Sequence, residues 1–134
     1  MLHLAAAWPE SGLAWWYSQA ESHGVPVAET AYPFTLATND PSTSLSFSDP
    51  SELDPGYPAT AAGQAANFRD VLSVVQAVPN GLGLGAFYWE PTWTVVPGNG
   101  WDPANPASGD GWENQAMWNY SNVALPVIKD FAPR

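Results

Sequence analysis

The sequence predicts an α/β fold with parallel strands, and two observations support this. Short apolar segments alternate with longer amphipathic ones along the 134 residues, in the order strand, helix, strand, helix, strand. Two of the apolar segments end in a glutamate with proline close behind, Glu29 before Pro33 and Glu90 before Pro91. In parallel α/β folds the chemistry lies on loops at the carboxyl ends of the strands. We therefore expect both glutamates at one edge of a sheet.

Each strand is predicted from its own apolar run. The first covers residues 1–6, the second 25–31 and the third 82–91, which is rich in glycine and aromatic residues. Pro33 stops the second run, because proline cannot continue an interior strand.

The helices follow from periodicity and capping. A first helix is predicted over 11–23, with Ser11 as its cap, and a second begins at Thr60 and ends near Val78. The segment from Val123 to Phe131 is predicted to close the chain as a third helix. Residues 33–59 lack periodicity and are predicted to be a long functional loop. Residues 92–111 are predicted to be a second long loop.

Charge and composition narrow the partner. Only three Lys and Arg oppose thirteen Asp and Glu, giving a net charge of −10. Such a surface has no basic patch for nucleic acid or an anionic membrane, so a neutral partner is expected. The absence of cysteine excludes a disulfide framework and a thiolate nucleophile. The N-terminal residues show no signal peptide, and no apolar run is long enough to span a bilayer.

Tryptophan is the first chemical signal. Flat aromatic faces suit the C–H faces of sugar rings, and a neutral polymer rich in hydroxyl groups fits the charge-poor composition. The alternative is that these side chains are simply core, and Trp15, Trp16 and Trp118 fit that alternative because they lie in helical patterns. The four candidates for sugar contact are Trp89, Trp93, Trp101 and Trp112.

The carboxylates are the second signal. Glu29 at the end of an apolar strand is a candidate nucleophile for a glycosidase, which requires a second carboxyl group about 5 to 5.5 Å away. The alternative is a glutamate that only caps a neighbouring loop. The same alternative, a glutamate that only caps a loop, stays open for Glu90. Its functional roles are that of a partner carboxyl or of a hydrogen-bonding residue for a sugar hydroxyl.

Metal binding has weaker support in the sequence. Asn39 and Asp40 offer oxygen ligands for calcium, but they lack the dense alternation of ligands found in strong sites. The histidines form no convincing zinc pair. No cofactor is therefore predicted to be required, with calcium at Asn39 and Asp40 as the remaining candidate.

Four sequence blocks resemble the C-terminal part of the endo-β-1,4-galactanases of glycoside hydrolase family 53. They occur in the family's order and separation and cover nearly the whole chain. The blocks are VAETAYPF (27–34), GYPATAAGQAANFRD (56–70), GLGLGAFYWEPTW (81–93) and WENQA (112–116).

The resemblance implies a (β/α)₈ barrel and cleavage of β-1,4-galactan or arabinogalactan side chains of pectin with retention of configuration. It implies a secreted protein. Glu29, at the end of strand seven, is then the nucleophile, and Tyr32 in the same block is a substrate-binding candidate. The resemblance places Trp89 as an aromatic wall on strand eight with Glu90 and Trp93 beside it, and His3 at the rim of the cleft on strand five.

The sequence departs from the family pattern in two ways. The family's acid/base glutamate, at the end of strand four, has no counterpart here, and the sixth strand and helix are missing between residues 24 and 27. We therefore expect residues 1–134 to be about three βα units of the catalytic domain, with weak or no activity alone. A galactan-binding fragment without catalysis and a purely structural α/β domain are the alternatives.

Overall fold

A computed structural model describes residues 2–3, 18, 22, 27–40, 43–94, 96 and 100–131. Its sheet has three parallel strands in the order β1-β2-β3: β1 is Leu2–His3, β2 is Val27–Thr30 and β3 is Gly85–Tyr88. The parallel α/β prediction is thereby confirmed for the described residues. The strands are shorter than predicted, and the predicted helix over 11–23 lies outside the described residues apart from Ser18 and Ser22, which are helical.

The long helix of this region, α1, covers Ala61–Gln76. Its start agrees with the predicted cap, since the Thr60 side chain accepts a hydrogen bond from the Gly63 N–H at 3.0 Å. The helix ends two residues before Val78, and a short 3-10 helix over Pro79–Gly81 then leads into β3.

The core lies between α1, β3 and the C-terminal segment. Aromatic contacts contribute to this core. The ring of Phe68 in α1 stacks on that of Phe131, with centroids 4.7 Å apart, and meets the ring of Tyr88 edge to face at 5.6 Å. Trp118 packs against this cluster, as its predicted core role requires. The buried members are Ala65, Phe68, Met117, Leu125 and Val127.

The C-terminal segment differs from the predicted amphipathic helix. Pro126–Phe131 forms a 3-10 helix, and Val123 is 57% exposed instead of facing the core. The prediction missed this because Asn122 adopts a left-handed backbone with φ of 58°, which turns the chain before Pro126. Among the described residues no helix has the length and apolar character needed to cross a bilayer.

Gly63 lies where α1 packs closely against the preceding loop. A Cβ at this position would overlap the carbonyl oxygen of Pro58. Alanine normally stabilises a helix by about 0.5 to 1 kcal/mol relative to glycine, but here we expect Gly63→Ala to lower the free energy of unfolding by about 1 to 3 kcal/mol. Urea unfolding measures this, with Gln76→Ala on the exposed surface of the same helix as control. A raised unfolding midpoint for Gly63→Ala would contradict the packing.

Candidate active site

A cavity of about 390 Å³ opens at the carboxyl end of β2. Glu29 lines this cavity together with two tryptophans, one directly after β3 and one further along the chain. Trp89 and Trp112 meet edge to face, with ring centroids 6.5 Å apart, and are 44% and 37% exposed. The remaining lining residues are Ala31, Ser46, Phe47 and Gln115.

Strand pairing sets the position of Glu29 against Trp89. Glu29 lies opposite Phe87 in the register of β2 and β3, and opposite His3 on the other side. Beyond the strand end, the Trp89 N–H donates to the Thr30 carbonyl at 2.8 Å. This bond extends the pairing, so Trp89 leaves β3 directly beside the residues that follow Glu29.

A buried 3-10 turn over Glu113–Gln115, here named the ENQ turn, joins the two loops around the cavity. The Asn114 side-chain amide donates to the carbonyls of Thr35 and Phe47, at 2.7 and 2.8 Å. The main-chain carbonyl of Asn114 accepts from the Phe34 N–H at 2.8 Å. The loop after β2 therefore contributes mainly backbone atoms to its hydrogen bonds with the ENQ turn.

Gln64 of α1 also holds the ENQ turn by hydrogen bonding. Gln64 is fully buried, and the two N–H groups of its side chain lie within hydrogen-bonding distance of the carbonyls of Tyr32, Gln115 and Ala116, at 2.9, 3.3 and 3.0 Å. The Tyr88 hydroxyl reaches the carbonyl of Gln115 at 2.9 Å. Burial raises the pKa of the Tyr88 hydroxyl, so it stays a proton donor in this network.

Two buried carboxyl groups lie at the other end of the turn. Glu113 is fully buried, and its Oε1 accepts from the Thr38 hydroxyl and from the Asn39 N–H. Asp110 is 5% exposed, and burial raises its pKa to about 6, with the charges of Glu113 and Glu90 adding to the rise. Its Oδ1 accepts from the Trp112 N–H at 2.9 Å.

A second cavity, of about 440 Å³, is also lined by Trp112. Trp101, which is 62% exposed, lines it with Asp110 and two serines, Ser44 and Ser108. Trp112 borders both cavities, so two of the predicted sugar-contact tryptophans border a space apart from Glu29.

The other predicted site residues occupy varied places. Tyr32 is buried and does not line the cavity, because its hydroxyl donates to the Tyr57 carbonyl and accepts from the Asp54 N–H. Glu90 and Trp93 also lie outside the cavity lining. Glu90 has a left-handed backbone, φ 49°, and the Trp93 N–H closes a turn on its carbonyl, so the chain turns immediately after Trp89.

His3 and the calcium candidates remain predictions. His3 lies on β1 opposite Glu29, and its side chain lies outside the described part. Asn39 turns its N–H, a donor, toward Glu113. The described residues contain no cluster of three or more His, Cys, Asp or Glu able to hold a metal ion.

Sequence reasoning did not single out Gln115, Ser46 or Phe47 as lining residues. The available signal for Gln115 was the polar run Glu113–Gln115 between Trp112 and the apolar Ala116 and Met117. Such a run predicts a buried polar turn, but its sequence does not reveal which amide faces a cavity. Ser46 and Phe47 come from a loop without periodicity.

Comparison with known proteins identifies the family. The model of glycosyl hydrolase family 53 matches residues 22–131. The endo-beta-1,4-galactanase of Bacillus subtilis (strain 168) is 31% identical over 133 residues, covering 80% of this chain and 30% of the relative. An uncharacterized protein in the bgaB 5' region of Niallia circulans is 38% identical over 108 residues, covering 79% of this chain and 28% of the relative.

A solved structure gives the same result. The GH53 catalytic domain of Ignisphaera aggregans matches with a TM-score of 0.68 and 36% identity, over 77% of this chain and 28% of that one. The family match thus fits an α/β chain with a strand-end carboxylate beside exposed tryptophans. The chain belongs to glycosyl hydrolase family 53. It spans less than a third of the length of these relatives.

Gln64 is expected to be a major source of stability at this site. Gln64→Met keeps the length of the side chain but leaves the Ala116 carbonyl without its side-chain donor. We expect the free energy of unfolding to fall by about 1 to 3 kcal/mol. Urea unfolding measures it, and Gln76→Met, an exposed change on the same helix, is the control. Equal midpoints for the two variants would contradict the assigned role.

Asp110 predicts a pH-dependent stability. Its pKa in the folded protein is about 6, above its ordinary value of 3.8, so between these pH values the folded state binds more protons than the unfolded state. The free energy of unfolding therefore falls as pH rises through this window, and the contribution is absent above it. Asp110→Asn should remove this slope in urea unfolding measured from pH 3.5 to 7.5. Ser108→Ala, a non-titrating change in the same cavity, should keep it.

Proposed function

We propose that this chain supplies the nucleophile and aromatic wall of a galactan-cleaving site. The observation that carries the proposal is that Glu29 and the exposed Trp89 line one cavity at the carboxyl end of a parallel strand. A carboxylate beside a flat aromatic face can attack the anomeric carbon of a sugar held on that face. Membership of family 53 and the galactanase relative support β-1,4-galactan as the substrate.

The position of the chain within a barrel belongs to the same proposal. In it, β1, β2 and β3 correspond to strands five, seven and eight of a (β/α)₈ barrel, and residues 1–134 form the C-terminal part of the catalytic domain. The parallel order and the direct pairing of β2 with β3 support this assignment. Secretion and degradation of plant cell-wall pectin follow from the family resemblance and are proposed with it.

A second candidate is galactan binding without hydrolysis. A retaining glycosidase needs two carboxyl groups about 5 to 5.5 Å apart, whereas Glu29 is the one carboxylate among the described residues that line the cavity. Loss of general acid assistance lowers the rate by about 10² to 10⁴-fold. The isolated chain is therefore proposed to retain galactan while hydrolysing it weakly or not at all.

The test combines retention and hydrolysis of linear β-1,4-galactan by the purified chain. We expect retention on galactan to survive Glu29→Gln and to weaken at least about tenfold in Trp89→Ala, because the indole face is lost while the carboxylate is not required for binding. Affinity electrophoresis in galactan measures retention, and reducing-end release measures hydrolysis.

Phe87→Ala is the matched control, since Phe87 is a 65% exposed aromatic residue of β3 outside the Glu29 cavity. It should retain galactan like the parent chain. Efficient hydrolysis that disappears in Glu29→Gln would overturn the proposal of an inactive chain. Absence of retention by the parent would overturn the binding proposal.

A further inference from the structure

We propose that the side-chain amide of Gln115 is a hydrogen-bonding contact for the sugar in the Glu29 cavity. This inference rests on the proposed function and adds a residue that the carboxylate and tryptophans do not account for. Gln115 lines the cavity with Glu29, Trp89 and Trp112. It is 1% exposed, so its side chain forms part of the wall itself.

The amide of Gln115 lacks partners among the described residues. Neither its Nε2 nor its Oε1 makes a hydrogen bond there. Burying an amide without compensation is unfavourable, and such exceptions in folded proteins require an explanation. A ligand with hydroxyl groups could satisfy both atoms, because a hydroxyl both donates and accepts.

Other buried polar groups of the described part share this lack of partners but not the location. Unpaired atoms also occur on Gln64, Asn67, Asp110, Glu113 and Asn114, and these residues do not line the Glu29 cavity. Gln64, Glu113 and Asn114 each use another side-chain atom to fasten the surrounding loops. Gln115 differs because neither polar atom of its side-chain amide makes a hydrogen bond, whereas its main-chain N–H and carbonyl both do.

The main chain of Gln115 holds the amide in place. Its N–H donates to the Trp112 carbonyl at 2.9 Å, and its carbonyl accepts from Gln64 and from the Tyr88 hydroxyl. The backbone is fixed at both polar atoms and burial restricts the side-chain torsions of Gln115, which lowers the entropic cost of ordering it on binding. The Gln115 amide is thus an unpaired polar group in the lining that Trp89 and Trp112 share.

The class of ligand follows from the lining. Two tryptophans supply flat apolar faces, Glu29 supplies an acceptor, and the Gln115 amide supplies one donor pair and one acceptor. This combination suits a neutral pyranose with hydroxyl groups at its edge and apolar C–H groups on its face. A purely apolar ligand would leave the Gln115 amide unpaired.

The test is Gln115→Met, which keeps the length of the side chain and removes its polar atoms. We expect the dissociation constant for β-1,4-galactotriose, measured by calorimetry, to rise at least about tenfold. The urea unfolding midpoint should stay equal to or exceed that of the parent, because an unpaired buried amide is removed. A purely structural role would lower the midpoint, and that result would overturn the inference.

Two further measurements separate this inference from the proposed function. Asn67→Leu removes a buried amide away from the cavity and should bind galactotriose like the parent. In the parent, the side-chain NH₂ resonances of Gln115 should shift on titration with galactotriose, and absence of a shift would overturn the inference.

Binding that is lost in Trp89→Ala but unchanged in Gln115→Met would overturn the Gln115 contact and leave the proposed function standing. Absence of galactotriose binding by the parent would overturn both.

Discussion

Burial of the ENQ turn is the constraint on which the arrangement of the site depends. All three of its residues are buried, although each carries a polar or charged side chain. Buried polar groups generally need partners inside the protein, and the main chain of the turn and the side chains of Glu113 and Asn114 have such partners. The partners come from the loop after β2 and from α1, so satisfying the turn brings these segments to one place. The cavity around Glu29 forms where they meet.

This arrangement separates groups that stabilise the protein from groups that can receive a ligand. The amide nitrogen of Gln64 is shared among several carbonyls, and the nitrogen of Asn114 between two. Gln115, in the same turn, has no partner for its amide among the described residues. Trp89 and Trp112 keep exposed surface although they contact each other. An unpaired amide and two partly exposed aromatic side chains thus line the Glu29 cavity together.

The sequence could predict those features that depend on local patterns. Thr60 as the cap of α1 and Glu29 at the end of β2 follow from capping and from an apolar run. The cavity depends on pairing between segments far apart in sequence, such as Asn114 with Thr35. No periodicity marks such pairs. The 3-10 form of the last segment depends on the left-handed backbone of Asn122, which nothing in its apolar spacing indicated.

The fastening of the loop after β2 has a consequence for how the site can vary. Asn114 and Gln64 recognise carbonyl oxygens, at Thr35, Phe47 and Tyr32 among others, and every residue type presents the same carbonyl. Side chains at most of these loop positions can therefore change while the path of the loop is kept. The side chains that this loop presents to its surroundings can thus vary by single substitutions, without a compensating change in the scaffold beneath it.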